Sequence, residues 1–286
     1  MHDVLILSLV NEEACGSRVP VLRCVDALRA AGTKAEAVAA GSDQEIDDVI
    51  TRLSDDVRLI VAAEDGAQLR HVMRRMVRHH APAPSRRPSS LAADRTIPDL
   101  PTIGVLALAP IPLIEPASPE DIAAWSLGSS VRRLDLLRQD GGGVTLDGAL
   151  LGAADDSGAP IAWRGRIEVD DAVLSGGDDP IVALSIANGS GWSTLDGLPL
   201  VENPDPADGL IDVAIAVPVS HKPLLGKARM RFEVRRARGR AVSVTPHDPE
   251  LPILDDGVAS TVTHKRSWWI EHRAWSVYTS PGRDEP

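Results

Sequence analysis

The chain has 286 residues, of which 43 % are hydrophobic and 25 % are charged, and this balance excludes wholesale disorder. Its formal charge of −11 repels polyanions, which argues against nucleic acid and anionic membrane surfaces as partners. The length is sufficient for one large domain or two modest ones.

Two features of the sequence bear on the cellular compartment. Cys15 and Cys24 are too few for a disulfide framework and form no metal-binding pattern. The apolar run from Val4 to Val10 lacks the basic flank of a signal peptide, and no other apolar stretch is long enough to span a bilayer. We therefore expect a cytoplasmic protein without stable membrane insertion.

Strand and helix patterns alternate along the first third of the chain. Continuous apolar runs predict buried strands at 4–7 and 59–62, and further strands are predicted at 35–39 and 102–108. Apolar residues at helical spacing predict the intervening helices at 19–31, 43–53 and 66–77. This order predicts a mostly parallel sheet covered by helices on both faces, in a domain of residues 1–112.

The pattern changes after the proline-rich segment 110–119. Short strand-like segments separated by Gly, Asp or Pro turns follow from residue 131 to residue 278. They predict an antiparallel sandwich or barrel in a second domain, 113–286. The predicted fold class is therefore α/β followed by all-β.

Five segments of the second domain carry a family resemblance: Val131 to Leu136, Ile181 to Gly189, Asn203 to Val213, the basic hairpin Arg229 to Val244, and Leu254 to Gly257. Their order closely resembles the bacterial diacylglycerol-kinase-like lipid kinases, which are related to sphingosine kinases and NAD kinases. The resemblance implies a Rossmann-like nucleotide domain followed by a β-sandwich, with the active site between the two.

The nucleotide loops depart from the family pattern. Ala63 to Ala67 replaces the family's Gly-Gly-Asp-Gly-Thr loop and places Glu64 where phosphates would bind. Asn11 is followed by two acidic residues, Glu12 and Glu13. The segment Leu106 to Pro110 is apolar where the family has a Gly-Thr-x-Asn-Asp loop. Phosphate binding needs donors at these places. We therefore expect negligible affinity for ATP and no cofactor, with Mg and ATP required only if the protein is an active kinase.

Two further departures affect the catalytic base and the lipid side of the cleft. The family's Asp-Gly-Glu motif, which supplies the general base, reads Asp256-Gly257-Val258 here. Residues Gly152 to Pro160 replace a long helical segment of the family, so the cleft should be more open or differently filled.

The resemblance assigns candidate roles residue by residue. Asp65 and Asp256 are the candidate catalytic acids, and Asp208 and Asp212 match the family's acidic pair near a structural magnesium. The ligand-binding candidates are Asn11, Asp65, Gly66, Leu106, Leu108 and Asn188. We expect an apolar cavity bordered by 106–112, the Asp65-Gly66 turn and part of 188–212.

Each assignment has a structural alternative. Asp65-Gly66 is also a typical helix start, and Asp208 and Asp212 are typical turn residues. The arginines of the basic hairpin could form a phosphate-binding patch, but we favour a solvated sheet face that offsets acidic surroundings. Of the adjacent Trp268 and Trp269, only one can face inward on a strand.

Three functions are compatible with these residues. We favour a lipid-kinase fold with eroded ATP-binding and general-base motifs, which binds a hydrophobic small molecule or lipid in the interdomain cleft, as in a repurposed enzyme doing acid–base chemistry. The second is an active lipid kinase that depends on ATP and Mg. The third is a non-catalytic scaffold or regulatory partner, such as a homodimer formed through exposed strand edges.

Overall fold

The structure is a computed structural model that describes residues 2–10, 18–92, 95–190, 194–195, 198–221, 229–248 and 250–282. The chain forms two compact units. Unit 1 contains residues 1–136 and 271–286, and unit 2 contains residues 137–270. This division differs from the predicted boundary at residue 112, because a helix after that residue and the end of the last strand belong to unit 1.

The regular elements of unit 1 alternate as the sequence predicts. In chain order they are β1 (Asp3–Leu9), α1 (Arg18–Ala30), β2 (Ala35–Ala40), α2 (Asp43–Thr51), β3 (Val57–Ala63), α3 (Gly66–His80), a 3-10 turn (Pro84–Arg86), β4 (Ile103–Ala107), α4 (Pro119–Leu127) and β5 (Val131–Gln139), which continues into unit 2. Helix α4 was not predicted, although Ser118 and Asp121 form a capping box at its start.

The sheet of unit 1 is parallel, with the strand order β2-β1-β3-β4. Helices α1 and α4 pack on one face over a core that includes Val4, Ile6, Ile60 and Leu106. Helices α2 and α3 pack against each other, and α3 packs on β3. In β1, β3 and β4, successive residues are buried on both faces of the sheet, which explains their apolar runs, whereas half of the residues of the edge strand β2 are exposed.

Unit 2 is built almost entirely of strands. In chain order they are β6 (Val144–Thr145), β7 (Gly148–Leu151), β8 (Ala153–Ala154), β9 (Pro160–Ile161), β10 (Gly165–Val169), β11 (Ala172–Gly176), β12 (Ala183–Ala187), β13 (Thr194–Leu195), β14 (Leu198–Pro199), β15 (Ile211–His221), β16 (Arg229–Gly239), β17 (Ala241–Pro246), β18 (Leu251–Asp255), β19 (Val258–Val262) and β20 (Arg266–Tyr278), whose second half belongs to unit 1.

Two antiparallel layers enclose the main core of unit 2. One layer is a sheet of order β16-β15-β12-β7-β18-β19, and the other pairs β11, β10, β17 and the first half of β20. The core between them contains Ile186, Val213, Ile215 and the fully buried Trp268. The predicted fold class, a Rossmann-like parallel-sheet domain and a β-sandwich, is confirmed.

The outer face of the six-stranded sheet is also apolar. Ala183 and Ala187 of β12, with Ala214 and Ala216 of β15, alternate with the core residues and form a second apolar cluster. Antiparallel sheets commonly leave one face to water, so an apolar outer face needs a cover. The segment around Leu198 to Val201 covers part of it.

None of the described helices combines the length and the hydrophobicity that crossing a bilayer requires.

Candidate functional site

A pocket lies on the outer face of the six-stranded sheet of unit 2, and we name it the outer pocket. It encloses about 420 Å³, within the range of small-molecule sites, about 300–1,000 Å³. The described residues that line it are all apolar or glycine: Leu150, Leu151, Gly152, Ala153, Ala154, Gly158, Pro160, Val182, Ala183, Leu198 and Phe232.

The short hairpin β8–β9 forms one wall of the outer pocket. Asp155 holds its turn by accepting hydrogen bonds from the backbone N–H groups of Ser157 and Ala159, at 2.8 and 3.0 Å. Gly152 precedes this hairpin with φ +137°, and a Cβ there would lie 2.7 Å from the carbonyl oxygen of Val182. Glycine therefore lets the hairpin approach the sheet closely. This is the segment in which the sequence lacks the family's helical insertion.

The outer pocket has a different lining from the predicted cavity. Leu106 is 1 % exposed and belongs to the core of unit 1, with Leu108 packed partly buried against the same core. Because the side chain of Leu106 is enclosed by the core, its surface is used for packing. Asn11 lies outside the described residues, and its predicted role in ligand binding stays a prediction.

Asp65 and Gly66 lie where β3 leads into α3. Asp65 is exposed and is the N-cap of α3, with its side chain accepting a hydrogen bond from the backbone N–H of Gln68 at 2.8 Å. The side chain of Gln68 reaches back to accept from the N–H of Glu64 at 3.0 Å. These contacts show that Asp65 starts the helix, as the structural alternative for this pair predicts. Its catalytic role stays a prediction.

Asp256 and Asn188, two of the predicted site residues, lie together in a buried polar network. The carboxylate of Asp256 accepts hydrogen bonds from the backbone N–H groups of Leu146, Asp147 and Gly148, at 2.7, 2.9 and 3.2 Å. Asn188 donates from Nδ2 to the carbonyl of Leu146 at 2.7 Å. Both side chains therefore hold the same turn between β6 and β7.

Asp255 extends this network on its other side. Its carboxylate accepts hydrogen bonds from Gln139 Nε2 at 2.6 Å and from Thr145 Oγ1 at 2.8 Å. Asp256 and Gly257 both have positive φ, +47° and +85°, and form the two-residue loop between β18 and β19. This is the geometry of a type I′ turn, for which Asp-Gly is a preferred sequence.

Burial, followed by repulsion from Asp255, raises the pKa of Asp256 to about 7, while the three backbone N–H groups act in the opposite direction. A carboxyl that titrates near neutrality suits acid–base chemistry. Asp256 is only 6 % exposed, however, and its oxygens are directed at the backbone. The geometry thus gives it a role in holding two turns together, and its predicted role as an acid or base stays a prediction.

Asp208 and Asp212, the predicted metal ligands, are brought together at the start of β15. Arg238 of β16 contacts both carboxylates. The pKa of Asp212 is raised overall, because the effect of burial exceeds the opposing effect of the Arg238 charge. Among the described residues, no group of three or more His, Cys, Asp or Glu side chains has an arrangement suited to a metal ion.

Two other arginines of β16, Arg235 and Arg236, are also paired with nearby groups. Arg235 binds the carboxylates of Asp179 and Glu233, the latter at 2.8 Å. Arg236 donates to the backbone carbonyl of Leu200 at 2.7 Å. These contacts support the structural alternative for the basic hairpin, in which the arginines offset acidic neighbours.

Sequence reasoning missed a carboxylate–imidazole pair in unit 1. His272 Nδ1 lies 2.9 Å from Asp135 Oδ1, and Asp135 is fully buried. Asp135 also accepts the backbone N–H of Arg273, which has the unusual φ of +50°. His272 and Arg273 are neighbours in β20, and both contact this one carboxylate. The only sequence signal was a lone acid at the centre of an apolar strand, Leu134-Asp135-Leu136.

The chain was compared with known families, curated proteins and solved structures. No protein-family model and no curated protein sequence matches it. Its fold is similar to the crystal structure of a diacylglycerol kinase from Bacillus anthracis strain Sterne, with a TM-score of 0.65 and 14 % identity over 98 % of this chain and 97 % of that chain.

Two other structures from the same strain, each of a "putative diacylglycerol kinase", give similar values. Their TM-scores are 0.68 and 0.66, at 13 % and 14 % identity, and the matches cover 98 % and 99 % of this chain and 98 % of each of those chains. At such identities the likeness concerns the fold alone. This chain accordingly has the diacylglycerol-kinase-like lipid kinase fold.

Proposed function

We propose that this protein binds a hydrophobic small molecule or a lipid chain, and that the outer pocket of unit 2 is its binding site. The observation that carries the proposal is the outer pocket itself, whose described lining has no charged side chain. The apolar outer face of the six-stranded sheet continues into it. Burying a ligand chain there gains about 0.8 kcal/mol for each CH₂ group removed from water.

The direct test uses the uncharged fluorescent probe N-phenyl-1-naphthylamine with the full chain. We expect saturable binding with a blue-shifted emission. Ala153→Phe places an aromatic ring on a pocket-lining position and should weaken binding by about ten-fold or more, equivalent to about 1.4 kcal/mol. Ala172→Phe makes the same change at an exposed position of β11 and serves as the matched control.

The two variants separate pocket binding from adsorption to the surface. Equal affinities for Ala153→Phe and Ala172→Phe would contradict binding in the outer pocket. A wild-type signal that rises linearly without saturation would contradict a defined site. Native mass spectrometry of the purified protein would then identify any hydrophobic molecule that it retains.

The proposal also includes negligible affinity for ATP. The β3–α3 junction, where the family pattern requires a glycine-rich phosphate loop, carries Glu64 and the exposed N-cap Asp65. Carboxylates there repel phosphate groups. Calorimetric titration with Mg-ATP should therefore show no binding in the low micromolar range. Phosphoryl transfer from ATP to a diacylglycerol would instead support the active kinase.

A further inference from the structure

The pairing of β15 with β16 places a cation beside the predicted metal ligands. Asp212 and Arg238 are directly opposite each other in the register of these strands. Arg238 Nε donates to Asp212 Oδ1 at 2.9 Å, and Arg238 Nη2 donates to Asp208 Oδ2. One planar guanidinium thus bridges the two carboxylates with adjacent donors.

The oxygens of this acidic pair are largely occupied by N–H donors. Asp208 Oδ1 accepts the backbone N–H of Leu210 at 2.9 Å, and its Oδ2 accepts from Arg238. Asp212 Oδ1 also accepts from Arg238. Asp212 Oδ2 is buried without a hydrogen-bond partner among the described residues. Since Mg²⁺ requires about six oxygen ligands in near-octahedral geometry, one open carboxylate oxygen is a poor site for it.

We infer that Arg238 is the built-in counter-ion of Asp208 and Asp212, and that it replaces the divalent cation that the family resemblance implies. The residues present do not fit a magnesium ion while the guanidinium bridges them. The start of β15 therefore holds its conformation without divalent cations. Removing the guanidinium should expose two carboxylates at close range, and such a pair can bind a cation.

The inference has a direct consequence for metal dependence. The full-length wild-type protein should have the same thermal midpoint in EDTA and in millimolar MgCl₂ at matched ionic strength, within about 1 °C. Arg238→Ala leaves a like-charged pair without its cation. Its midpoint in EDTA should be lower by about 3–6 °C, and MgCl₂ should restore at least half of the loss.

Two variants control for general effects of the substitution. Arg231→Ala removes an exposed arginine from the same strand and should show no dependence on Mg²⁺. Adding Asp208→Asn to Arg238→Ala should abolish the rescue, because one carboxylate of the pair is then neutral. If Arg238→Ala does not fold, Arg238→Gln, which keeps most of the side chain, replaces it in the same comparison.

Stabilisation of the wild-type protein by Mg²⁺ that Asp208→Asn removes would overturn the inference, as would an Arg238→Ala midpoint equal to that of the wild type. A rescue by Mg²⁺ that persists without Asp208 would overturn it as well. None of these results bears on probe binding in the outer pocket, so the two proposals fail independently.

Discussion

Asp256 has both a predicted catalytic role, which comes from the family resemblance, and a structural role in the fold. Its side chain is buried, its backbone has φ +47°, and its carboxylate accepts three backbone hydrogen bonds. A buried carboxylate in this arrangement stabilises a turn whatever chemistry the protein performs. Its protonation is therefore linked to folding.

The pKa of Asp256, raised to about 7, predicts a pH dependence of stability. Between its ordinary pKa of 3.8 and pH 7 the folded protein binds more protons than the unfolded chain. The stabilisation is therefore complete below about pH 4 and is lost as the pH rises through about 7. Urea unfolding of the wild type and Asp256→Asn from pH 5 to pH 9 measures this difference.

In that comparison the free energy of unfolding of the wild type should fall as the pH rises, relative to Asp256→Asn. At pH 5 the variant should be less stable by about 1 kcal/mol or more, since the NH₂ group of asparagine faces a backbone N–H where Asp256 has an accepting oxygen. Parallel pH profiles for the two proteins would show that Asp256 does not titrate in this range.

Helix α3 begins after a residue, Asp65, for which helix capping is an alternative to the predicted catalytic role. Asp65 caps its N-terminus, and its last turn carries Arg78, whose positive charge complements the helix dipole. The sequence at this junction is thus sufficiently explained by helix formation. Contact between Asp65 and a ligand stays a prediction.

The free energy of unfolding of variants at Asp65 should therefore follow the ability of the new residue to cap a helix. Asp65→Ala should lower the free energy of unfolding by about 1 kcal/mol, whereas Asp65→Ser and Asp65→Asn should come within a few tenths of the wild type. Chemical denaturation followed by circular dichroism measures this. If Asp65→Asn abolishes turnover of a substrate while its stability is retained, the carboxylate has a chemical role in addition to its cap.

At the scale of the whole molecule, the last strand, β20, supplies contacts that the rest of unit 1 needs in order to fold. Val277 of β20 pairs in parallel with Ile103 of β4, and the N–H of Leu100 donates to the carbonyl of Ala274. Asp135 is buried against His272 and Arg273, so its carboxylate depends on residues distant in sequence.

A fragment of residues 1–136 should therefore fail to form a stable fold by itself. Without residues 271–278, one edge of β4 is unpaired and the buried Asp135 loses its contacts with His272 and Arg273, which costs about 1–3 kcal/mol for the carboxylate alone. Expression of 1–136 alone and of 1–136 joined by a flexible linker to 266–286 tests this. Cooperative unfolding of the short fragment would contradict the prediction.

The sequence alone determined the local structure of this protein. The apolar runs of unit 1 and the helical spacing between them predict its β–α alternation, because strands buried on both faces must be apolar throughout. The short strands after residue 131 predict the sandwich. Asp256-Gly257 and Asp65-Gly66 lie at a turn and at a helix start, where their backbone preferences suffice to explain them.

The tertiary structure decided which distant residues meet. Arg238 lies opposite Asp212 because of the register of two long strands, and His272 meets Asp135 across 137 residues of sequence. The outer pocket joins residues from 150–160, 182–183, 198 and 232, which share no local pattern. Hydrophobic periodicity reports which face of an element is buried, but not which element covers that face. Helix α4 and the return of β20 to unit 1 were missed for the same reason.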